Sequence, residues 1–210
     1  MQIDPIAAIG TVVREVQSRE HEGKPARVVV ACRDYDTTAE DLWDALTSPE
    51  RIPRWFLPVT GDLKPGGRYQ LQGNASGEIT ACIPPRKLAL TWEFGGQVTW
   101  VNVTLTAQDD GVRLELEHIA PVDEKWGQFG PGAVGIGWDL SLQGLALHVD
   151  SGGAPVDPAE FAAWSASNAG KTFIRASSED WCRADIADGA EPAAARASAA
   201  RTAAFYCGEA

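Results

Sequence analysis

Residues 88–119 read LALTWEFGGQVTWVNVTLTAQDDGVRLELEHI, and their period decides the fold class. Leu88, Leu90, Trp92 and Phe94 alternate with Thr91 and Glu93. Val101, Val103 and Leu105 alternate with Trp100, Asn102 and Thr104. Val112, Leu114, Leu116 and His118 alternate with Arg113, Glu115 and Glu117, after an Asp109-Asp110-Gly111 turn. A repeat of two sends successive side chains to opposite faces, so these are strands with one apolar and one solvated face, an antiparallel meander. Upstream, Arg68–Gln72 follows a Gly66-Gly67 turn, and Glu78–Ile83 ends at Pro84-Pro85; both extend the same pattern.

Helical signals flank the meander. Thr38-Ala-Glu-Asp41 is a capping box, and Ser48-Pro49 opens a second short helix. Trp138–Val149 carries Leu140, Leu142, Leu145 and Leu147 at near-helical spacing. Before it, Pro121–Gly137 reads as a Gly- and Pro-rich loop holding Trp126 and Phe129, either an ordinary ordered loop or a lid. At the N-terminus, Asp4-Pro5 starts a short helix over 5–9, and Thr11–Arg19 pairs with Ala26–Tyr35 as a hairpin. Beyond the break at 150–155, Asp157 starts a helix that Gly170 interrupts. Ser177-Ser-Glu-Asp180 caps another, which Gly189 ends, and Glu191–Tyr206 is alanine-rich. An alanine-rich helix needs a docking partner, and Phe205 and Tyr206 are the expected anchors. Strands and helices are segregated, so the class is α+β rather than a parallel sheet.

This order resembles the START-like, SRPBCC superfamily, and within it the branch of homologues of the activator of a heat-shock-protein ATPase. The resemblance rests on residues 35–55 (YDTTAEDLWDALTSPERIPRW), Gly61-Asp62-Leu63 with Gly66-Gly67, and Gly77-Glu78-Ile79. It continues through Pro84-Pro85-Arg86-Lys87-Leu88, Thr91-Trp92-Glu93 and Gly137-Trp138-Asp139 with Leu142 and Leu145. It implies a helix-grip fold: a curved antiparallel sheet wrapped around a long helix at 137–149, with a cavity between them. The resemblance covers about residues 26–150, the START-like domain; outside it the residues themselves give an N-terminal helix and hairpin strand (1–25) and a helical C-terminal extension (156–210).

Composition narrows the partners. The 210 residues hold 18 Lys and Arg against 29 Asp and Glu, a net charge of −11. No basic stripe is available to neutralise phosphates, so neither nucleic acid nor an anionic membrane surface is expected. No stretch approaches a spanning length of apolar residues, and the first residues lack the features of a signal peptide. The four cysteines, Cys32, Cys82, Cys182 and Cys207, form no CxxC pair and read as reduced thiols of a cytoplasmic protein.

The eight tryptophans either build a core or line a site. The candidate set for an apolar or aromatic small molecule is Trp55, Phe56, Tyr69, Trp92, Phe94, Trp100, His118, Trp126, Phe129 and Trp138. His118 is the one weak catalytic candidate, as an acid or base of a cyclase or hydratase; its bland reading is a satisfied structural histidine. Asp139 reads as a cap of the 137–149 helix and Glu93 as a solvated strand residue. No metal or cofactor is expected: His21, His118 and His148 lack ligand spacing, and the glycines of 127–137 do not spell a dinucleotide loop. The competing function is a chaperone-associated protein-interaction module, with the helical tail offering a surface for a homodimer or another protein.

Overall fold

The computed structural model describes residues 3–209. In chain order these form α1 (Pro5–Gly10), β1 (Val12–His21), β2 (Lys24–Tyr35) and α2 (Ala39–Thr47). A 3-10 turn (Ile52–Arg54) leads into β3 (Val59–Gly61), β4 (Arg68–Leu71), β5 (Ser76–Ile83), β6 (Lys87–Phe94), β7 (Gln97–Gln108) and β8 (Gly111–Pro121). Five helices close the chain: α3 (Glu124–Phe129), α4 (Gly132–Asp150), α5 (Pro158–Ala166), α6 (Asn168–Ala187) and α7 (Pro192–Tyr206). The strands form one eight-stranded sheet in the order β1-β2-β8-β7-β6-β5-β4-β3, and β3 to β8 run as an antiparallel meander. The architecture is the α+β helix-grip fold. No described helix is long and apolar enough to cross a membrane.

The chain divides into two compact units, one running to Ala31 and including Pro121–Leu140 and the residues from Asp157 on, the other made of Cys32–Ala120 and Ser141–Val156. In the first unit, Asp4 caps α1 by accepting from the amides of Ile6 and Ala7 at 3.0 and 3.1 Å. Ala8 and Ile9 of that helix share a core with Trp164 and Phe173, whose rings meet edge to face at 5.5 Å. The tail is therefore packed with the N-terminal helix.

Four local expectations are corrected here. The stretch 121–137 is not a loop: it holds α3 and the first turns of α4. Gly132, Gly135 and Gly137 lie inside α4, and Gly135 serves close packing there, for a Cβ on it would stand 2.4 Å from Cε2 of Trp181. Gly170 does not break the tail. It lies in the first turn of α6, capped by the Ser167 hydroxyl, where any side chain would strike the Trp164 carbonyl oxygen at 2.3 Å. Ser177 and Ser178 are not caps but buried residues in the middle of α6. Asp139 is no cap either; it sits inside α4 with 1% exposure.

Those last residues form one buried polar knot. Arg14 of β1 donates Nε to Asp139 at 3.0 Å and Nη1 to Asp180 at 3.0 Å. Trp181 donates its indole N–H to the same Asp139 oxygen at 3.0 Å, and Ser177 donates its hydroxyl there too. Burial pushes the Asp139 carboxyl up, against the pull of Arg14, Ser177 and Trp181.

The alanine-rich α7 docks through polar side chains and through Tyr206, one of the two expected aromatic anchors. Thr202 donates to the Phe129 carbonyl at 2.7 Å, Ser198 to that of Gly127 at 3.1 Å and Arg201 to that of Gln128 at 2.8 Å. These are the carbonyls a short helix leaves unpaired at its C-terminus. Tyr206 does anchor, donating to the Ala133 carbonyl at 3.0 Å, whereas Phe205 is 66% exposed.

Candidate functional site

In the second unit, α4 is buried on nearly every side from Leu142 to Val149, as an all-round apolar helix must be. Within this unit the helix comes close to the chain at Gly144, where a Cβ would lie 2.8 Å from the Trp55 carbonyl oxygen. At its end, His148 accepts from Arg51 at Nε2 (3.3 Å from Nε) and donates Nδ1–H to the Ala154 carbonyl at 2.8 Å. Arg51 in turn pairs with Asp41 and Asp44, at 2.7 and 3.1 Å. This set ties the helix end to α2 and to the chain reversal at Gly153.

The sheet face that matters follows from register. Directly paired residues share a face, so Trp92 opposite Thr99, Leu90 opposite Val101 and Val101 opposite His118 lie on one side. Val101, Val103 and Leu105 on β7 and Leu114 and Leu116 on β8 are buried there. The neighbouring β6 is different. It is a central strand, yet Leu88, Leu90 and Trp92 are all only partly buried. They join Phe56, Leu57, Val59, Leu63 and Cys82 around a small buried nucleus of Tyr69, Leu71 and Ile79. The result is an apolar surface with a sealed floor and an incompletely covered rim. Tyr69 fixes that floor by donating its hydroxyl to the Thr91 carbonyl at 2.8 Å.

His118 borders this surface, with its ring centroid 6.3 Å from that of Trp92. Thr99 donates its hydroxyl to the Trp92 carbonyl at 3.1 Å, so its oxygen is the acceptor for His118 Nε2–H at 2.9 Å. Burial pushes the imidazole down to about 4. A base this weak is poorly matched to proton abstraction near neutral pH. The shift has a measurable consequence. The unfolded chain takes up the proton near pH 6.5 and the folded chain only near 4, so this contribution to stability is complete above 6.5 and lost as pH falls towards 4. We expect a loss on the order of 3 kcal/mol across that window. Urea midpoints collected over the same pH range should fall less steeply in a His118→Asn variant; parallel slopes would refute the assignment.

The ten candidates separate. Phe56, Tyr69 and Trp92 meet in the apolar cluster, with His118 beside Trp92. Trp55 stacks on Phe56 at 5.4 Å and donates its indole N–H to the Ala45 carbonyl at 2.9 Å. Phe94 shares the face of Trp92 but stands 58% exposed beside the Gly95-Gly96 turn. Trp100 pairs with Thr91 and Ile119, which places it on the opposite face of the sheet from Trp92 and His118. Trp126, Phe129 and Trp138 belong to the first unit. There, the segment considered as a lid is α3 docked on α7, and the Arg27 guanidinium lies over the Trp126 ring at 5.7 Å. Glu93, expected to be solvated, pairs with Arg68 at 2.6 Å on the strand's other face.

Sequence reasoning overlooked Leu71, Ile79, Leu57 and Val59, and missed β3 altogether. Leu71 and Ile79 were legible from the period of two; β3 is three residues long and offers no period. Arg33 and Tyr35, two buried residues at the end of β2, were also overlooked. Tyr35 donates to the Leu142 carbonyl at 3.1 Å.

Residues 36–150 match the family described as Activator of Hsp90 ATPase homolog 1-like protein. The chain belongs to this family. Among solved structures it is similar to CalU16 from Micromonospora echinospora at 30% identity. The solution structure matches over 85% of this chain and 97% of CalU16, with a TM-score of 0.70. The crystal structure of CalU16 matches over 82% and 97%, with a TM-score of 0.64. MLL2253 from Mesorhizobium loti is similar at 25% identity over 60% of this chain and 98% of its own, with a TM-score of 0.54. A human relative, "Activator of 90 kDa heat shock protein ATPase homolog 1", is 29% identical over 84 residues, 38% of this chain. The chain spans a quarter of that relative's length. The likeness to CalU16 reaches well past the family segment, so part of what flanks residues 36–150 is shared as well.

Proposed function

We propose that the chain binds a small apolar or aromatic molecule on the surface formed by Leu88, Leu90, Trp92 and Phe56 over the Tyr69–Leu71–Ile79 floor. The observation that carries this reading is the partial burial of β6. A central strand ordinarily loses its apolar side chains to the core, and a contiguous apolar surface left open marks a binding site more often than idle exposure. His118 supplies a neutral polar edge to that surface. Its weak basicity favours binding over acid–base turnover.

The test uses N-phenyl-1-naphthylamine, a neutral apolar fluorophore. The full chain should enhance its emission saturably, and Leu90→Trp, which fills the surface, should weaken that binding about tenfold or more. No saturable enhancement in the folded wild-type chain would end this reading. The likeness to the human activator supports a second reading, a chaperone-associated role, over the segment the two share. Stimulation of a chaperone ATPase by the full chain, unaltered by Leu90→Trp, would favour it over the first.

A further inference from the structure

Near the end of α6, Asp185 buries a carboxyl group that the fold leaves partly unsatisfied. It is 5% exposed, and among the described residues its Oδ1 has no hydrogen-bond partner. Arg27 of β2 attracts it, but that guanidinium is already engaged. Arg27 pairs with Asp188 at 2.5 Å, donates to the Ser18 hydroxyl at 2.6 Å and lies over the Trp126 ring. Asp188, three residues further on, sets a like charge against Asp185. Burial pushes the Asp185 carboxyl up, against the pull of Arg27 and with the help of Asp188.

The carboxyl is covered by α3. A Cβ on Gly130, which caps that helix at φ +62°, would lie 3.9 Å from Asp185 Oδ2 and 3.5 Å from Ser198 Cβ. The bare backbone of Gly130 therefore closes over Asp185 beside α7. The remaining charged and titratable neighbours are few. On α7, Arg201 is bonded to Ser198 and to the Gln128 carbonyl. On α6 itself, Cys182 lies one turn earlier and feels the Asp185 charge. An ionised oxygen buried without a donor is costly, and access to water relieves it. The weakest part of the cover is α3: six residues are too few to hold a helix in water. Its seat depends on the bonds from Ser198, Arg201 and Thr202 and on Trp126 beneath Arg27. This short helix also fills most of the connection between β8 and α4.

We propose that Asp185 is a proton-operated latch on α3: as the neutral acid it lets α3 seat on α7, and as the carboxylate it drives α3 open to water. The opened state titrates at the ordinary carboxylate value and the seated state higher. Opening therefore becomes easier as pH rises from the first value through the second, and no easier above it. The His118 contribution to stability runs in the opposite direction and is common to wild type and variants.

Hydrogen exchange of the full chain, corrected for the intrinsic rate and read from about pH 4 to about pH 9, tests the latch. Protection of residues 124–130 should fall about fivefold or more across that range, the lower end of the cost of an unsatisfied buried group. Protection of 177–182 in α6 should not fall. Asp185→Asn should hold the protection of 124–130 level. Asp188→Asn should move the fall to lower pH, since a like charge is gone and Arg27 is released towards Asp185; a purely structural Asp185 would give no such shift. Level protection of 124–130 in the wild type, or the same fall in Asp185→Asn, overturns the proposal. An equal fall in α6 also overturns it, because the event is then global unfolding.

Discussion

Replacing Asp139 with alanine is expected to cost about 3–5 kcal/mol of stability, a loss as large as a single change in this chain should produce. Arg14 is held with its side chain 3% exposed, and the Asp139 side chain facing it is fully buried. Removing the carboxylate leaves the guanidinium in low dielectric with Asp180 as its remaining ionic partner. It also strips the acceptor from the Trp181 indole and the Ser177 hydroxyl. The knot joins β1, α4 and α6, so the damage should reach all three elements. Urea unfolding monitored by tryptophan fluorescence measures the change, with an unchanged denaturant slope as the sign that stability alone has shifted. Asp139→Asn keeps the volume and one acceptor and should cost less than alanine. A loss below about 1 kcal/mol in Asp139→Ala would mean that the network contributes no more than an exposed pair.

Truncating Trp181 to alanine is the second large effect, also expected near 3–5 kcal/mol. Trp181 is fully buried and its ring lies against the bare backbone of Gly135, so truncation opens a cavity that rigid helices cannot close. The same contact can be probed from the other side. In an ordinary helix interior, glycine to alanine gains about 1 kcal/mol. At Gly135 the new methyl would meet the Trp181 ring at 2.4 Å, so the sign should reverse, with a loss of about 1–3 kcal/mol. Trp181 and Asp139 share a hydrogen bond, so the double variant should lose less than the sum of the singles. Strict additivity in the four-variant cycle would show that the indole and the carboxylate act independently.

These two residues also show where the sequence was legible and where it was not. Trp181 is one of the eight tryptophans that either build a core or line a site, and it is buried in the core. Asp139 reads as a cap because helix-start arguments weigh only the residues nearby in the chain; its partners are 125 and 42 residues away. The same distance explains the glycines of 130–137. As a local signal they spell a loop, yet three of them lie within a helix. Ser177-Ser-Glu-Asp180 satisfies the spacing of a capping box and is interior helix, since a pattern of four residues cannot report whether the chain before it is already helical.

On the candidate site the division is similar. The alternation over 88–119 placed Leu90, Trp92 and His118 on one face, and the observed register agrees. The same alternation put Trp100 on the other face, and grouping it with Trp92 as an aromatic set ignored that. Phe56 and Tyr69 come from different segments and meet through the sheet's order, which no local pattern encodes.

By itself, then, the sequence determined the strand periods, most helix starts, the α+β class and the family. Those depend on neighbours within a few residues or on a run of motifs. Tertiary structure decided which charges are buried and with whom. It turned a glycine-rich stretch into a helix and left the apolar side of β6 incompletely covered. Each of these is a property of surfaces brought together from distant parts of the chain, and burial sets their energies.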